Sequence, residues 1–209
     1  MFLTSFLLAD FLADNGFFGA RRLVVSSASS KTAYGTAVCL EGGTSARRVA
    51  LTSPRNLGFV ERLGCYHEAV TYEQLAGLPV DEPTLYLDFS GDPALRDRVH
   101  RHFGAKLVYS CSAGAAQTTE AAPLTAAVGP APQFFFAPDQ VRKRGADWGP
   151  AELGRRIGEA LLQFYDRVSA TPDPWLTLVT AVGYEAAQDV IASLCRGQVP
   201  PAEGHVVRL

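Results

Sequence analysis

Residues 22–38 read RLVVSSASSKTAYGTAV, a short apolar strand followed by a turn of small hydroxyl residues and the start of a helix. Small residues at the end of the strand let the chain turn sharply. The helix then directs its first backbone N–H groups and the positive end of its dipole at the turn. This stretch therefore predicts an anion site of the kind that holds a nucleotide phosphate.

The spacing of small residues in this turn is that of a dinucleotide-binding loop. Ser27, Ser30 and Ala33 fall at the small positions of G-x-x-G-x-x-G/A. Small side chains there allow the turn, the approach of a pyrophosphate and close packing of helix on strand. Serine suits the first position less well than glycine, because its Cβ disfavours a positive φ. Taken alone, the loop is interpreted equally well as a Ser-rich turn that caps a helix.

The loop also contains hydroxyl groups and one cation, which compensate for the missing glycines. Ser29, Ser30 and Thr32 supply hydroxyl donors, and Lys31 supplies a positive charge for a phosphate. A P-loop is not expected, because Val25 stands where that motif requires glycine. The predicted cofactor-binding loop consists of Ser27, Ala28, Ser29, Ser30, Lys31 and Thr32.

The end of the second predicted strand bears on which dinucleotide would bind. NAD-selective folds place an Asp or Glu about 20 residues beyond the loop, on the ribose 2′-hydroxyl. Residues 51–56 read LTSPRN and contain no carboxylate. Ser53 and Arg55 can instead hold a 2′-phosphate through charge-assisted hydrogen bonds, which favours NADP(H). A solvated arginine in the first turn of a helix is an equally good interpretation of Arg55 alone.

Apolar runs of strand length alternate with helical stretches, the pattern of a parallel sheet covered on both faces. The predicted strands are 23–27, 48–52, 68–71, 84–89, 106–110, 133–136, 175–180 and 205–209. The predicted helices are 1–12, 31–41, 54–62, 93–103, 150–168 and 184–195. We therefore predict an α/β fold, a Rossmann-like doubly wound parallel sheet in three αβα layers. It would form a single domain over residues 1–209, with a leading helix in 1–20 and an excursion loop at 113–132.

Charge and cysteine content exclude several classes of protein. The net charge is −2, and the 16 arginines and 3 lysines form no basic stripe, so nucleic acid is not an expected partner. The four cysteines are far apart and form no C-x-x-C pair, which indicates thiols in a reducing cytoplasm and no zinc site. The apolar residues 1–12 are too few to span a bilayer and include Asp10, so we expect a buried helix and no membrane contact.

Residues 23–33 and 51–70 together resemble the cofactor domain of medium-chain dehydrogenases/reductases. The likeness is to the zinc-independent quinone-oxidoreductase type, and in particular to an uncharacterised branch with serines in the loop. That family has the same order of strand, small-residue turn, second strand ending in Thr-Ser, and helix running into Leu-Gly. Residues 87–91, LDFSG, resemble its fourth-strand segment, and the helix and strand near the end of the chain resemble its usual end.

The resemblance implies an NADP(H) cofactor and hydride transfer to a carbonyl or an activated alkene of quinone or enone type. It places Ser53 and Arg55 at the 2′-phosphate, Ser110 at the strand end that borders the ribose, and Phe136 near the nicotinamide. We expect the family's N-terminal GroES-like catalytic domain to have no counterpart in these residues, so the resemblance leaves the catalytic residues and the small-molecule substrate unknown. The face that such a domain would cover is expected to be apolar, which is compatible with a homodimer.

A second hypothesis from another class stays open, namely a non-catalytic or degenerate dinucleotide-binding or interaction module. Three other residue types have predicted structural roles. His100 and His102 lie on a charged helix and are expected to be solvated, while Cys111 is expected to be a buried, inert thiol. Asp88 would anchor a ribose or hold a loop, and the sequence does not choose between these roles.

Overall fold

The computed structural model describes residues 1–114, 126 and 128–209. The chain divides into two compact units, 1–161 and 162–209. A single domain over 1–209 stays a prediction. Most of the predicted excursion loop at 113–132, namely residues 115–125 and 127, lies outside the described residues.

The first unit is built on a six-stranded parallel sheet whose strand order is β3-β2-β1-β4-β5-β6. The strands are β1 (Arg22–Val25), β2 (Arg47–Thr52), β3 (Glu68–Thr71), β4 (Thr84–Asp88), β5 (Leu107–Ser112) and β6 (Gln133–Phe134). This 3-2-1-4-5-6 order is that of the doubly wound dinucleotide-binding folds, with its switch point between β1 and β4. The predicted fold class is therefore confirmed. Val25 at the end of β1 lies opposite Ala50 and Leu87, so neighbouring strands end at the same edge.

Helices cover both faces of this sheet, because successive strand residues point to opposite sides. Leu23 and Val25 pack with α1 (Phe2–Asp14) and α2 (Lys31–Cys39) in one apolar cluster. Val24 points the other way and packs with α4 (Pro93–Phe103) in a second cluster. The remaining helices of the unit are α3 (Leu57–Leu63), α5 (Ala137–Trp148) and the start of α6 (Pro150–Val168). Strands that are apolar on both faces explain their continuous apolar runs.

Helix α5 was not predicted, and its contacts explain why. It has no wide apolar stripe, and two of its buried residues, Gln140 and Arg144, are polar. The Arg144 Nε atom lies 2.7 Å from Asp10 Oδ2 on α1, and its Nη2 lies 2.9 Å from Asp14 Oδ1. Polar pairs with α1 thus hold α5, and hydrophobic periodicity cannot reveal a helix held in this way.

The second unit contains two strands that pair in parallel and a helix that lies between them in the sequence. These are β7 (Thr177–Val182), α7 (Tyr184–Cys195) and β8 (Glu203–Arg208), with Val179 opposite His205. The bounds of α7 match the predicted helix, and the strands are displaced by about two residues from the predicted ones. In the described part of the chain, no helix combines the length and apolarity needed to cross a membrane.

Candidate functional site

The loop after β1 reverses the chain at Ser27, whose φ is +47°. The Ser27 carbonyl accepts a hydrogen bond from Ser30 N at 2.8 Å, and Ala28 N donates to the Leu51 carbonyl at 3.2 Å. Ser27 N donates to the Tyr72 hydroxyl at 3.2 Å. A left-handed conformation costs a non-glycine residue about 1–2 kcal/mol, so this is the position where glycine is favoured. The loop keeps a glycine-type turn although serine occupies it.

Helix α2 begins directly at this loop. Ser30 is its N-cap residue, and the Ser30 side chain accepts a hydrogen bond from Ala33 N at 3.4 Å. Ser27 and Ala28 are buried, whereas Ser29, Ser30, Lys31 and Thr32 are half-buried. The first two residues therefore shape the backbone, and the four that follow are the ones a ligand can reach at the positive end of the helix.

The turn after β2 lies against this loop. It is a 3₁₀ turn, Pro54–Asn56, that runs into α3. Asn56 Nδ2 donates to Ser29 Oγ at 3.0 Å, and Asn56 N donates to the Ser53 carbonyl at 3.0 Å. The structure thus brings together the predicted phosphate loop and the turn that carries Ser53 and Arg55.

The two predicted 2′-phosphate residues differ in their exposure. Arg55 is exposed. The Ser53 Oγ atom is buried, and no hydrogen-bond partner for it occurs among the described residues. In this conformation Arg55 is therefore accessible to a phosphate, whereas the Ser53 hydroxyl is not.

Two tyrosines hold the predicted phosphate loop in addition to Asn56. The Tyr66 hydroxyl donates to the Ala28 carbonyl at 3.0 Å, and the Tyr72 hydroxyl accepts from Ser27 N. Burial raises the pKa of Tyr66 well above its ordinary value, so this phenol keeps the proton that it donates. Tyr66, Tyr72 and Asn56 are residues of the candidate site that the sequence reasoning missed. The only signal for the tyrosines is that they flank the third predicted strand.

A buried carboxylate, Asp88, joins the loops after β1 and β4 at the switch point of the sheet. Its Oδ1 atom accepts hydrogen bonds from Ser26 Oγ at 3.1 Å, Ser90 Oγ at 2.7 Å and Gly91 N at 3.0 Å. Its Oδ2 atom lies 3.0 Å from Arg96 Nε, and both side chains of this ion pair are at most 2% exposed. Of the two roles considered for Asp88, the structure shows the second, since protein donors engage both oxygens and hold a loop.

The side chain of Ser110, the predicted ribose neighbour, is turned into the core. Its Oγ atom lies 2.9 Å from His100 Nε2, and His100 Nδ1 lies 2.8 Å from the Val128 carbonyl. A carbonyl can only accept, so Nδ1 carries the proton and Ser110 donates to Nε2. The expectation that His100 is solvated is wrong, because this side chain is fully buried. With the Ser110 hydroxyl bonded to His100, a ribose contact at Ser110 stays a prediction.

Burial of His100 predicts a pH dependence of stability. Burial lowers the pKa of His100 below its ordinary value of 6.5, and nearby Arg96 lowers it further. Below pH 6.5 the unfolded chain therefore binds a proton that the folded chain does not, and stability falls as the pH falls. We expect His100→Gln to reduce the slope of the unfolding free energy between pH 7 and 5, by at most about 1.4 kcal/mol per pH unit. Urea unfolding at several pH values measures this slope.

The comparison with wild type isolates His100, because His67, whose pKa is also lowered, is present in both proteins. An unchanged slope in His100→Gln would show that this histidine does not titrate with unfolding. A steeper slope would show that the folded protein holds it protonated.

Phe136, the cysteines and the metal-ligating residue types complete the comparison with the sequence predictions. Phe136 is about half exposed, and its ring stacks on Phe134 with centroids 6.4 Å apart. All four cysteines lie within the described part of the chain and are thiols rather than disulfides. Burial raises the pKa of the Cys111 thiol to about 12, as expected for an inert cysteine. Within the described ranges, no group of three or more His, Cys, Asp and Glu side chains is arranged to hold a metal ion.

The strand order and the strand–turn–helix unit define a Rossmann-like α/β domain. The chain belongs to the DUF2855 family, described as a protein of unknown function, whose sequence profile matches residues 1–200. No functionally curated protein matches the chain by sequence.

Several solved structures share the fold. CurA from Vibrio vulnificus, solved in complex with NADPH, matches with a TM-score of 0.57 and 17% identity over 95% of this chain. A putative NADPH:quinone reductase from Mesorhizobium loti matches with a TM-score of 0.64 and 14% identity over 98%. The yhdH oxidoreductase from Salmonella enterica, in complex with NADP, matches with a TM-score of 0.58 and 16% identity over 99%. The chain spans 61%, 58% and 60% of these structures, in that order.

Proposed function

We propose that this chain is the NADP(H)-binding domain of a medium-chain reductase-like protein that transfers a hydride to a carbonyl or an activated alkene of quinone or enone type. The observation that carries the proposal is the hydrogen bond between Asn56 and Ser29, which joins a carboxylate-free turn to a phosphate-type loop. Structures of the same fold have been solved with NADPH or NADP, which supports the choice of cofactor.

The residues at this edge of the sheet fit a dinucleotide. Ser27 already adopts the left-handed conformation that this turn requires, although it carries a Cβ. The half-buried residues 29–32 offer hydroxyls, a lysine and the N-terminus of a nine-residue helix for the pyrophosphate. Exposed Arg55 suits a 2′-phosphate on the neighbouring turn, and the buried Ser53 Oγ, which has no hydrogen-bond partner among the described residues, would join it after a change of rotamer.

The chemistry divides between the cofactor and the chain. A bound reduced nicotinamide supplies the hydride, and the protein supplies position and electrostatics. The residues of the loop after β1 would hold the pyrophosphate, and Arg55 would select the 2′-phosphate. Phe136 would provide an apolar surface near the nicotinamide. The small-molecule substrate would approach from the side that a second domain covers in the resembled family.

The test is a fluorescence titration of NADPH with the whole chain. Binding in a structured site should raise the nicotinamide emission and shift it to the blue, with saturation. An unchanged spectrum at millimolar cofactor would overturn the proposal. NADP should displace the bound NADPH, and inorganic sulfate at equal ionic strength should not. This comparison separates specific binding from general attraction of anions.

A degenerate module without cofactor is the second candidate, and a specific observation favours it. Serines stand at two of the three small positions of the loop, and the first of them, Ser27, occupies a left-handed conformation that glycine would adopt at lower cost. Ser27→Gly together with Ser30→Gly discriminates between the candidates. If the glycine variant binds NADPH and wild type does not, the natural loop is degenerate.

A further inference from the structure

We infer that Asn56 is a positioning residue for the phosphate loop, holding the Ser29 hydroxyl so that its proton is directed at the pyrophosphate of a bound dinucleotide. This inference rests on the proposed function, since it concerns the same site. It adds a residue on the neighbouring turn that acts only through its contact with Ser29.

The direction of the hydrogen bond is the first step. Asn56 Nδ2 is the donor and Ser29 Oγ is the acceptor, 3.0 Å apart. A serine hydroxyl can accept on its lone pairs while it donates its one proton elsewhere. Across the residues that the structure describes, no acceptor receives that proton. Asn56 therefore occupies the acceptor side of Ser29 and leaves its donor side for a ligand.

The location of the pair is the second step. Ser29 is half-buried and lies two residues before the first residue of α2, Lys31, at the positive end of the helix. An anion attracted to that end by the helix lies where the Ser29 proton is needed. A hydrogen bond from a neutral hydroxyl to a phosphate oxygen is charge-assisted and is stronger than one to water.

The place of Asn56 in its turn gives a way to separate two explanations. Arg55 and Asn56 lie in one 3₁₀ turn whose N-cap residue is Ser53, and Asn56 N donates a hydrogen bond to the Ser53 carbonyl. If the Asn56 side chain only stabilised this turn, its loss would disturb the 2′-phosphate residues as well. If it acts through Ser29, its loss affects ligands that reach the loop and spares those that reach only the turn.

The experiment measures displacement of NADPH by two partial ligands, ADP and 2′-AMP. ADP carries the pyrophosphate without the 2′-phosphate, and 2′-AMP carries the reverse. We expect Asn56→Ala to weaken ADP about tenfold and to leave 2′-AMP within about twofold. Ser29→Ala should give the same loss, and the double variant should lose no more than either single variant. Asn15→Ala is the matched control, because Asn15 bonds to the Phe11 carbonyl at the end of α1.

Asn56→Asp tests the direction of the bond with almost no change of size. A carboxylate can only accept a hydrogen bond, so it would accept one from the Ser29 hydroxyl instead of donating to Ser29 Oγ. ADP binding should therefore weaken more than in Asn56→Ala. In a Ser29→Ala background, the part of the loss that acts through the Ser29 hydroxyl should disappear, and only the repulsion between the new carboxylate and the ADP phosphates should persist. Far-ultraviolet circular dichroism and the melting temperature of each variant show whether it is folded.

Three results would overturn the inference. Equal weakening of ADP and 2′-AMP would show a structural role for the Asn56 side chain. Additive losses in the double variant would show that Asn56 does not act through Ser29. Unchanged ADP affinity in Asn56→Ala would show that the contact is irrelevant. If wild type binds neither NADPH nor ADP, the proposed function fails together with the inference, and that result is distinct from the other three.

Discussion

Arg96→Ala should destabilise the protein by about 3–5 kcal/mol, the largest effect on stability that we expect from a single substitution here. The Asp88 carboxylate is 1% exposed, and Arg96 Nε is the charged group that its Oδ2 atom meets at 3.0 Å. Without Arg96 the carboxylate stays buried with hydroxyl and backbone donors alone, and these do not neutralise its charge. Urea unfolding at pH 7 followed by circular dichroism measures the loss.

Arg101→Ala provides the matched control on the same helix. Arg101 is 66% exposed, and its Nη2 atom lies 3.7 Å from Asp97 Oδ2 one turn away. An exposed pair of this kind contributes at most about 1 kcal/mol, so the control should unfold at nearly the wild-type urea concentration. Equal losses in Arg96→Ala and Arg101→Ala would contradict the role assigned to the buried pair.

The ion pair also explains how much of the site the sequence predicts. The fold follows from the sequence because strands buried on both faces must be apolar throughout. The bounds of β3, α4, α6 and α7 are those predicted. The position of the predicted phosphate loop follows as well, since a strand–turn–helix unit is local. Contacts between side chains far apart in the sequence do not follow, because no periodicity records them.

His100 and Asn56 illustrate this limit. Helix α4 is rich in arginine and histidine, so its composition predicts a solvated face. His100 is nevertheless buried, and its hydrogen-bond partners are a serine ten residues later and a carbonyl 28 residues later. The partner of Asn56 is 27 residues earlier in the chain. Helix α5 is the same case on a larger scale, because its polar partners lie on α1, more than 120 residues away. Each case required the tertiary structure, since polar partners satisfy buried groups without leaving a pattern in the sequence.

Arg55→Ala should weaken NADPH binding about thirtyfold and change NADH binding by less than about threefold. Arg55 is exposed on the turn after β2, where the chain offers no carboxylate for a ribose 2′-hydroxyl. A guanidinium at this place can hold a 2′-phosphate through two parallel hydrogen bonds, and NADH lacks that phosphate. Fluorescence titration of both cofactors at the same ionic strength gives the two dissociation constants.

The conservative variant and a matched control make this result specific. Arg55→Lys keeps the charge but not the planar fork, so it should recover part of the NADPH affinity and none of the geometry that a guanidinium provides. Arg62→Ala removes an exposed arginine from the last turn of α3, where it lies over the Phe59 ring. This control should leave the dissociation constants of both cofactors unchanged. Raising the salt concentration should reduce the difference in NADPH affinity between wild type and Arg55→Ala, because salt screens an exposed charge pair. Equal weakening of NADPH and NADH in Arg55→Ala would contradict a 2′-phosphate contact and would place Arg55 at a part that both cofactors share.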